Sequence, residues 1–345
     1  MHSLLHSRRL WLQAVLLAGM AALVAWRADL AEAWDVFTSI APGYALLGVG
    51  LLIASNVVHA KKWQHLLAGV GDVPLRDSFA VFWASMAANN LIPLRAGDVL
   101  RVQVMSQRTG MRRGGIVASL FTESLLDGVA FIVLIAAALA IQGRTSDFNL
   151  WVLVALLLFV GIVAATIAAA RSKPGPEIER APLLRLVPSR FRRSVADFIP
   201  HAIDGLRPLG EARSGISVTA LALIAWLLEA GAYIAWGEAF RLEAGPTALL
   251  LVMVAVNVAG SITILPANLG LYELTAVGVL RAAGEGPSEA TAYAIGTHLL
   301  VIATIAIIGL GTMLYLRLSP ADIFYFRQRA EESAESPAPE TARGG

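Results

Sequence analysis

The sequence lacks cysteine and contains few charged residues. None of its 345 residues is cysteine, which excludes disulfide scaffolds, cysteine-ligated zinc or iron–sulfur sites and thiol catalysis. Charged residues make up 15% of the chain, whereas soluble domains carry roughly 25%. Hydrophobic residues make up 57%, which excludes an intrinsically disordered chain. The composition therefore predicts an all-α polytopic membrane protein.

Long apolar runs predict membrane spans, each of which needs about 20 mostly apolar residues. Two further stretches, 78–94 and 247–283, are apolar but are interrupted by polar residues and a proline. We predict that each forms a re-entrant hairpin, which enters and leaves the membrane on the same side. Six full transmembrane helices are predicted, at 10–26, 42–58, 115–141, 149–170, 214–237 and 291–316.

The distribution of positive charge supports this arrangement. With six spans, two hairpins and a cytoplasmic N-terminus, most of the 27 Lys and Arg residues lie on the cytoplasmic side, as the positive-inside rule requires. Both termini are then cytoplasmic. Eight full spans remain the alternative. The stretch 10–26 is long for a signal peptide and no clean cleavage site follows it, so we interpret it as an uncleaved span.

The domain organisation is correspondingly simple. Residues 1–318 are predicted to form a single transmembrane domain. The polar loop 171–213 carries more basic than acidic residues, and we expect it to lie in the cytoplasm against anionic lipid. Residues 319–345 are predicted to form a disordered cytoplasmic tail.

The two interrupted stretches share one pattern, in which asparagine precedes Pro-x-x-x-Gly and a carboxylate follows. Three predicted spans separate them, so the units 42–141 and 214–316 form an inverted-topology repeat. Broken helices in such repeats point to the binding site of a secondary transporter, because irregular backbone at membrane depth must be buried or line a wet cavity. The pattern comprises Asn89, Asn90, Pro93, Gly97 and Asp98 in the first stretch, and Asn257, Pro266, Gly270 and Glu273 in the second.

Ionisable residues inside a membrane are costly and are functional candidates by default. Glu123 and Asp127 are four residues apart and share a helix face. They either repel, which would make one of them a proton carrier, or pair with Arg95 or Arg101, or lie in water at the cytoplasmic end of the span. The carboxylates in apolar surroundings are Glu123, Asp127, Glu229 and Glu273.

The basic residues offer fewer candidates. Arg95 and Arg101 stand on either side of Asp98; arginine suits phosphate, and a lipid phosphate is the natural ligand, although both residues also fit the positive-inside rule. His298 is predicted to be a hydrogen-bonded packing residue. The remaining basic residues near a predicted span end are expected to snorkel to the interface; these are His59, Lys61, Lys62 and His65.

No motif for a cofactor or an enzymatic reaction is evident. The six histidines lack metal-ligand spacing, and we find no nucleotide-binding loop, Gly-x-Ser-x-Gly or His-Glu-x-x-His. We therefore expect no cofactor, no metal and no nucleic-acid partner. The sequence favours a transporter over an enzyme.

The motifs, taken in order, resemble those of the lysylphosphatidylglycerol synthase transmembrane region family, a group of flippase-like inner-membrane proteins. The resemblance extends from about residue 40 to 316. The family commonly has Glu at the position of Asp98 and often Arg at the position of Ser124, which weakens a Glu–Arg pair there. The matching motifs are Asn90-Leu91-Ile92-Pro93-x-x-x-Gly97-Asp98-x-x-Arg101, Glu123-x-x-x-Asp127 and Leu265-Pro266-x-x-x-Gly270-x-x-Glu273.

The resemblance implies a function in lipid translocation. In multidomain relatives this region looks like the unit that moves aminoacylated phosphatidylglycerol between leaflets, while a soluble domain makes that lipid. Other relatives are linked to polyprenyl-phosphate sugar or hopanoid pathways. This chain offers no room for a synthase domain, so we do not expect it to synthesise an aminoacyl lipid.

Three hypotheses follow for an inner-membrane protein of this kind. The first is a flippase for an anionic, aminoacylated or polyprenyl-linked lipid, with proton movement through Glu123, Asp127 or Glu229 as one source of energy. The second is a non-catalytic membrane subunit that partners lipid- or glycan-synthesis enzymes. The third is a membrane-embedded transferase acting on a lipid phosphate, with Asp98 or Glu273 as general base.

Overall fold

The computed structural model describes residues 39–91, 96–141, 212–262 and 265–318. Within these ranges the chain forms eight α-helices, one short 3-10 helix at Pro266–Asn268 and no strand, which confirms the helical fold class. The helices are α1 (Pro42–Leu67), α2 (Leu75–Leu91), α3 (Ala96–Thr109), α4 (Arg113–Ile141), α5 (Ala212–Ala239), α6 (Pro246–Ile262), α7 (Leu271–Ala282) and α8 (Pro287–Tyr315).

Four of these helices, α1, α4, α5 and α8, are long and apolar enough to cross a membrane. They correspond to four of the six predicted spans, so the chain is a multi-pass membrane protein. The predicted spans 10–26 and 149–170 lie outside the described residues. So do the tail 319–345 and the loop 171–213, except for its last two residues, which begin α5.

The stretch 247–283 forms two short helices on either side of a break, whereas the described part of the stretch 78–94 belongs to α2, and the short helix α3 follows outside that stretch. The first break separates α2 from α3, and the second separates α6 from α7. The sequence of each break contains a proline. A proline favours a break because, inside a helix, it removes a hydrogen bond and clashes with the preceding turn. Pro93, like Arg95, lies outside the described residues, whereas Pro266 begins the short 3-10 helix of the second break.

The segment 95–114, which lies between the first predicted hairpin and the predicted span 115–141, is largely helical. Residues 96–109 form α3, which packs against α2 and α4. The helix is amphipathic, with Leu100, Val104 and Met105 buried on one face. Its arginines are spaced so that Arg101 falls on the buried face and Arg108 on the surface. The side of the membrane on which α3 lies therefore stays a prediction.

Helices from the two halves of the chain pack against each other. The long helices α1 and α5 lie side by side, α2 packs against α8, and α6 contacts α4. The two largest hydrophobic clusters among the described residues lie around Trp236 and Tyr293 and around Trp63 and Trp83. Polar residues collect between these clusters, and they form the candidate site.

Candidate functional site

The C-terminal end of α2 and the second break meet at a pair of adjoining cavities. The larger has a volume of about 330 Å³ and the smaller about 200 Å³. The larger cavity is lined by members of both hydrophobic clusters, such as Leu52 and Phe82. Residues that line both cavities come from α2, α6 and the second break; they are Asn89, Asn90, Asn257, Ala267 and Asn268.

A polar stripe on α1 forms one wall. Ser55, Asn56, His59 and Lys62 are spaced three to four residues apart, so they share one face of the helix, and each is buried. The α1 helix continues through Lys62 to Leu67, beyond the predicted end of the span at residue 58. The expectation that Lys62 snorkels to the interface is therefore wrong, since its side chain is fully buried.

Lys62 forms the centre of a buried ion cluster. Its Nζ lies 2.5 Å from Asp127 Oδ1 and 3.6 Å from Glu123 Oε1. The ammonium also lies 3.0 Å from Nδ1 of His59, which can accept a hydrogen bond from it. A buried charge is stable only when it is paired and hydrogen-bonded, so Lys62 and the two carboxylates on α4 stabilise one another.

The same cluster resembles a cation site. Ligand atoms of His59, Glu123 and Asp127 all lie within 4.8 Å of one another, a donor set that could hold a metal ion. The Lys62 ammonium, however, already contacts all three of these residues. The positive charge that such a donor set requires is therefore supplied by the protein's own lysine.

Arg101 is the second cation of the site. Its Nη2 donates a hydrogen bond to Glu123 Oε2 at 2.8 Å, which agrees with one of the alternatives considered for the carboxylates on α4, pairing with Arg95 or Arg101. Its guanidinium lies 4.1 Å above the Trp63 ring and 5.0 Å from the Phe82 ring, and aromatic faces stabilise such a cation. Within the described part of the chain, the buried Nε of Arg101 has no hydrogen-bond partner.

The end of α2 contributes two asparagines with different roles. Asn89 accepts a hydrogen bond at 2.7 Å from the backbone N–H of Gly97, and this bond joins α2 to the start of α3 across the first break. The buried Nδ2 of Asn90 has no hydrogen-bond partner among the described residues. Asp98 also lines the larger cavity.

Glu229 reaches the cavity from α5. Its carboxylate accepts hydrogen bonds from Asn257 Nδ2 at 2.9 Å and from Ser55 Oγ at 3.5 Å. Both donors are neutral, in contrast to the cations that hold the carboxylates on α4. One turn earlier on α5, Trp226 Nε1 donates to Asp127 Oδ1 at 2.9 Å, so α5 contacts the ion cluster as well.

The second break is held by a histidine. His298 Nδ1 lies 2.6 Å from Glu273 Oε1, and its Nε2 lies 2.8 Å from the backbone carbonyl of Ala267. The other carboxylate oxygen of Glu273 accepts a hydrogen bond at 2.7 Å from the backbone N–H of Gly270. Gly270 has φ 79°, a left-handed conformation that glycine adopts without steric cost. The His298 ring stacks on Tyr272 at 4.1 Å.

Most of the predicted site residues are brought together. Pro266, Gly97, Gly270 and Glu273 do not line the larger cavity but support its walls; Pro93 and Arg95 lie outside the described residues. The predicted residues that line the larger cavity are Asn89, Asn90, Asp98, Arg101, Glu123, Asp127, Glu229 and Asn257.

Three functional candidates were not identified from the sequence. Lys62 and His59 were assigned to the membrane interface, although their spacing from Ser55 already marks a polar stripe on an apolar helix, and such stripes face a protein interior. His298 is hydrogen-bonded, as expected, but to two groups of the second break. No sequence signal links His298 to Glu273, because the two residues lie on different helices.

Comparison with known proteins gives one match. The family model described as "Lysylphosphatidylglycerol synthase TM region" matches residues 10–309. No curated protein and no solved structure matches the chain significantly.

Proposed function

The chain belongs to the lysylphosphatidylglycerol synthase transmembrane region family, and from this premise we propose that it moves a phosphate-bearing lipid between the leaflets of the cell inner membrane. The family and the helical fold make it a membrane protein with a lipid-related function. Translocation is the activity that the geometry of the cavity supports best.

The observation that carries the proposal is a pair of buried donors on two residues that line the larger cavity. Arg101 Nε and Asn90 Nδ2 come from opposite sides of the first break, and neither has a hydrogen-bond partner among the described residues. A buried donor without a partner costs about 1–3 kcal/mol. A ligand that offers acceptors to both atoms recovers this cost, and phosphate oxygens accept strong hydrogen bonds from arginine.

Phosphate is the chemistry shared by the three lipid classes that the sequence suggested. Anionic phospholipids, aminoacylated phosphatidylglycerol and polyprenyl-linked lipids all carry a phosphate beside their apolar chains. Among the described residues, Arg101 pairs with Glu123 through Nη2, and its Nε is left for a ligand. We infer that the head group occupies the cavity while the acyl or prenyl chains stay in the bilayer.

The helix pattern supports alternating access to this cavity. A long helix, two short helices and a long helix occur in that order twice, as α1–α4 and as α5–α8. The short helices α3 and α7 have 14 and 12 residues, fewer than the roughly 20 that cross a bilayer. We propose that α2–α3 and α6–α7 are the two re-entrant hairpins of an inverted repeat and that they enter from opposite sides.

A charge-conserving substitution of Arg101 tests this proposal. We expect Arg101→Lys to lower the translocation rate about tenfold or more, because lysine keeps the positive charge beside Glu123 but loses the Nε donor, and hydrogen bonds to charged groups contribute about 1.5–3 kcal/mol. The measurement uses proteoliposomes with fluorescently labelled phosphatidylglycerol, whose outer-leaflet fraction is bleached by dithionite. Parallel samples with lysylphosphatidylglycerol and with a polyprenyl phosphate identify the preferred lipid.

Arg108 supplies the matched control on the same helix. It pairs with Asp77 at 3.1 Å on the protein surface, and Arg108→Lys should leave the rate unchanged. Equal rates for the Arg101→Lys variant and the native protein would refute the role of Arg101. If none of the three lipids moves faster than in protein-free liposomes, translocation itself is refuted, and a subunit of a synthesis complex or a lipid-phosphate transferase becomes the better explanation.

A further inference from the structure

The hydrogen bonds of His298 fix the number of protons that it shares with Glu273. The carbonyl oxygen of Ala267 can only accept, so His298 Nε2, at 2.8 Å, must carry a hydrogen. At Nδ1, 2.6 Å from Glu273 Oε1, one further proton is needed, carried either by the imidazole or by the carboxyl group. The bent conformation of the break therefore requires one proton shared by the pair, in addition to the hydrogen on Nε2.

Loss of the shared proton removes one of the two contacts. If the neutral imidazole keeps its hydrogen on Nε2, the lone pair of Nδ1 faces the Glu273 carboxylate at close range. If the hydrogen moves to Nδ1, the lone pair of Nε2 faces the carbonyl oxygen of Ala267 instead. Neither tautomer satisfies both neighbours, so deprotonation loosens the attachment of the second break to α8.

The second break contains unfavourable backbone angles, so it is expected to change conformation when its contacts with His298 are lost. Ala267 and Asn268 adopt φ angles of 48° and 56°, in the left-handed region that is unfavourable for residues other than glycine. Each such residue costs about 1–3 kcal/mol and persists only where the surroundings enforce it. Ala267 and Asn268 also line both cavities, so any movement of the break reshapes the site.

We propose that Glu273 and His298 form a proton-binding site that holds the break between α6 and α7 in its bent conformation, and that release of the proton to cavity water frees the break. Any coupling of proton release to lipid movement rests on the function proposed above. The proton-binding site itself depends only on the contacts of His298 and Glu273.

Other ionisable groups near the pair differ from it in their contacts. Glu123 and Asp127, two of the three predicted proton carriers, are held by the cations Arg101 and Lys62. Glu229, the third, contacts neutral side chains, and it holds no part of the second break. The cavity that His298 lines also contains Tyr272 on α7, Glu229 and Tyr233 on α5, Asp98 and Arg101 on α3, Glu123 and Asp127 on α4 and His59 on α1, while α2 contributes the neutral Asn89 and Asn90.

The absence of cysteine from the chain provides a direct test. A single cysteine introduced as Leu269→Cys lies in the second break, where the native side chain is 38% exposed, and its rate of maleimide labelling reports how freely the break opens. We expect labelling to accelerate as the pH is raised, because loss of the shared proton frees the break.

Glu273→Gln provides the matched background. The glutamine amide donates to Nδ1 and its carbonyl accepts from Gly270, so the variant mimics the protonated pair and should keep the break bent at every pH. Loss of one charge-assisted hydrogen bond corresponds to about a tenfold or greater increase in opening. Dividing the labelling rate in the native background by the rate in the Glu273→Gln background at the same pH cancels the intrinsic effect of pH on the thiol.

The ratio decides the proposal. A ratio that rises about tenfold with pH supports the proton-binding site, and a ratio that stays constant overturns it. His298→Gln, which removes the titrating ring by another route, should likewise abolish the extra acceleration at high pH. Labelling needs no lipid movement, so a rising ratio in a protein that moves no lipid would refute the proposed function while supporting the site.

Discussion

The Lys62→Met variant should lose about 3 kcal/mol of its free energy of unfolding, because breaking a buried ion pair by removing one partner costs about 3–5 kcal/mol. The ammonium contacts Asp127 at 2.5 Å and is fully buried. Methionine fills a similar volume but leaves Asp127 without a cation. We place the loss at the lower end of this range because the Asp127 side chain is 20% exposed, and Glu123 keeps Arg101.

Unfolding of the detergent-solubilised protein by titration with sodium dodecyl sulfate measures this loss. Lys61 offers a control one position away. In the part of the chain that the structure describes, its Nζ donates a hydrogen bond to the neutral Gln64, at 2.8 Å, and Lys61→Met should change the stability little. The double variant Lys62→Met/Asp127→Asn should recover at least half of the loss, because it removes the uncompensated charge and keeps an acceptor for Trp226. A double variant no more stable than Lys62→Met would show that the ion pair is not the cause.

Gly97→Ala should have the second largest effect, lowering the free energy of unfolding by about 2–4 kcal/mol. A Cβ at position 97 would collide with the backbone carbonyl of Ser85 and lie 2.7 Å from Asn89 Oδ1. Backbone cannot yield as a flexible side chain can, so α2 and α3 must separate. Overpacking costs about 1–3 kcal/mol, and loss of the hydrogen bond from Gly97 to Asn89 adds about 1 kcal/mol.

Gly50→Ala is the control for this substitution. Gly50 lies in α1, and a Cβ added there would have no neighbouring atom within 4 Å. The methyl group of alanine therefore meets no obstacle, and alanine favours a helix by up to about 1 kcal/mol. The same titration compares the two variants. If Gly97→Ala is as stable as Gly50→Ala, then α2 and α3 are not in close contact at Gly97. The Gly97 variant should also move lipid more slowly, because Asn89, the hydrogen-bond partner of Gly97, lines the cavity.

Much of the fold could be predicted from the sequence because membrane spans depend on local composition. The apolar runs at α1, α4, α5 and α8 are long enough to identify alone, and the prolines at 93 and 266 mark the breaks. By contrast, α3 was not predicted as a helix, since its mean polarity resembles that of a loop and only its spacing is helical. Whether an arginine such as Arg101 is buried depends on the helices around it, which a single sequence does not reveal.

The sequence predicted which residues belong to the candidate site better than it predicted which of these residues contact one another. The carboxylates could be identified because ionisable residues are rare in apolar membrane segments. The pairing of Glu123 with Arg101 was one of the alternatives considered. Lys62 was overlooked because a lysine near a span end usually snorkels, and only the continuation of α1 to Leu67 brings it inside. The pairing of Glu273 with His298 joins two helices and could not be inferred from spacing along the chain.

The shared lining of the two cavities has a thermodynamic consequence. Asn89 and Asn90 belong to one half of the chain, Asn257 and Asn268 to the other, and all four face the same space. The affinity of a ligand bound there therefore depends on the conformation of both halves of the chain. By reciprocal linkage, if one conformation of the second break binds the ligand more tightly, the ligand favours that conformation by the same factor. Substrate occupancy and helix-break geometry are thus two readouts of a single coupled equilibrium.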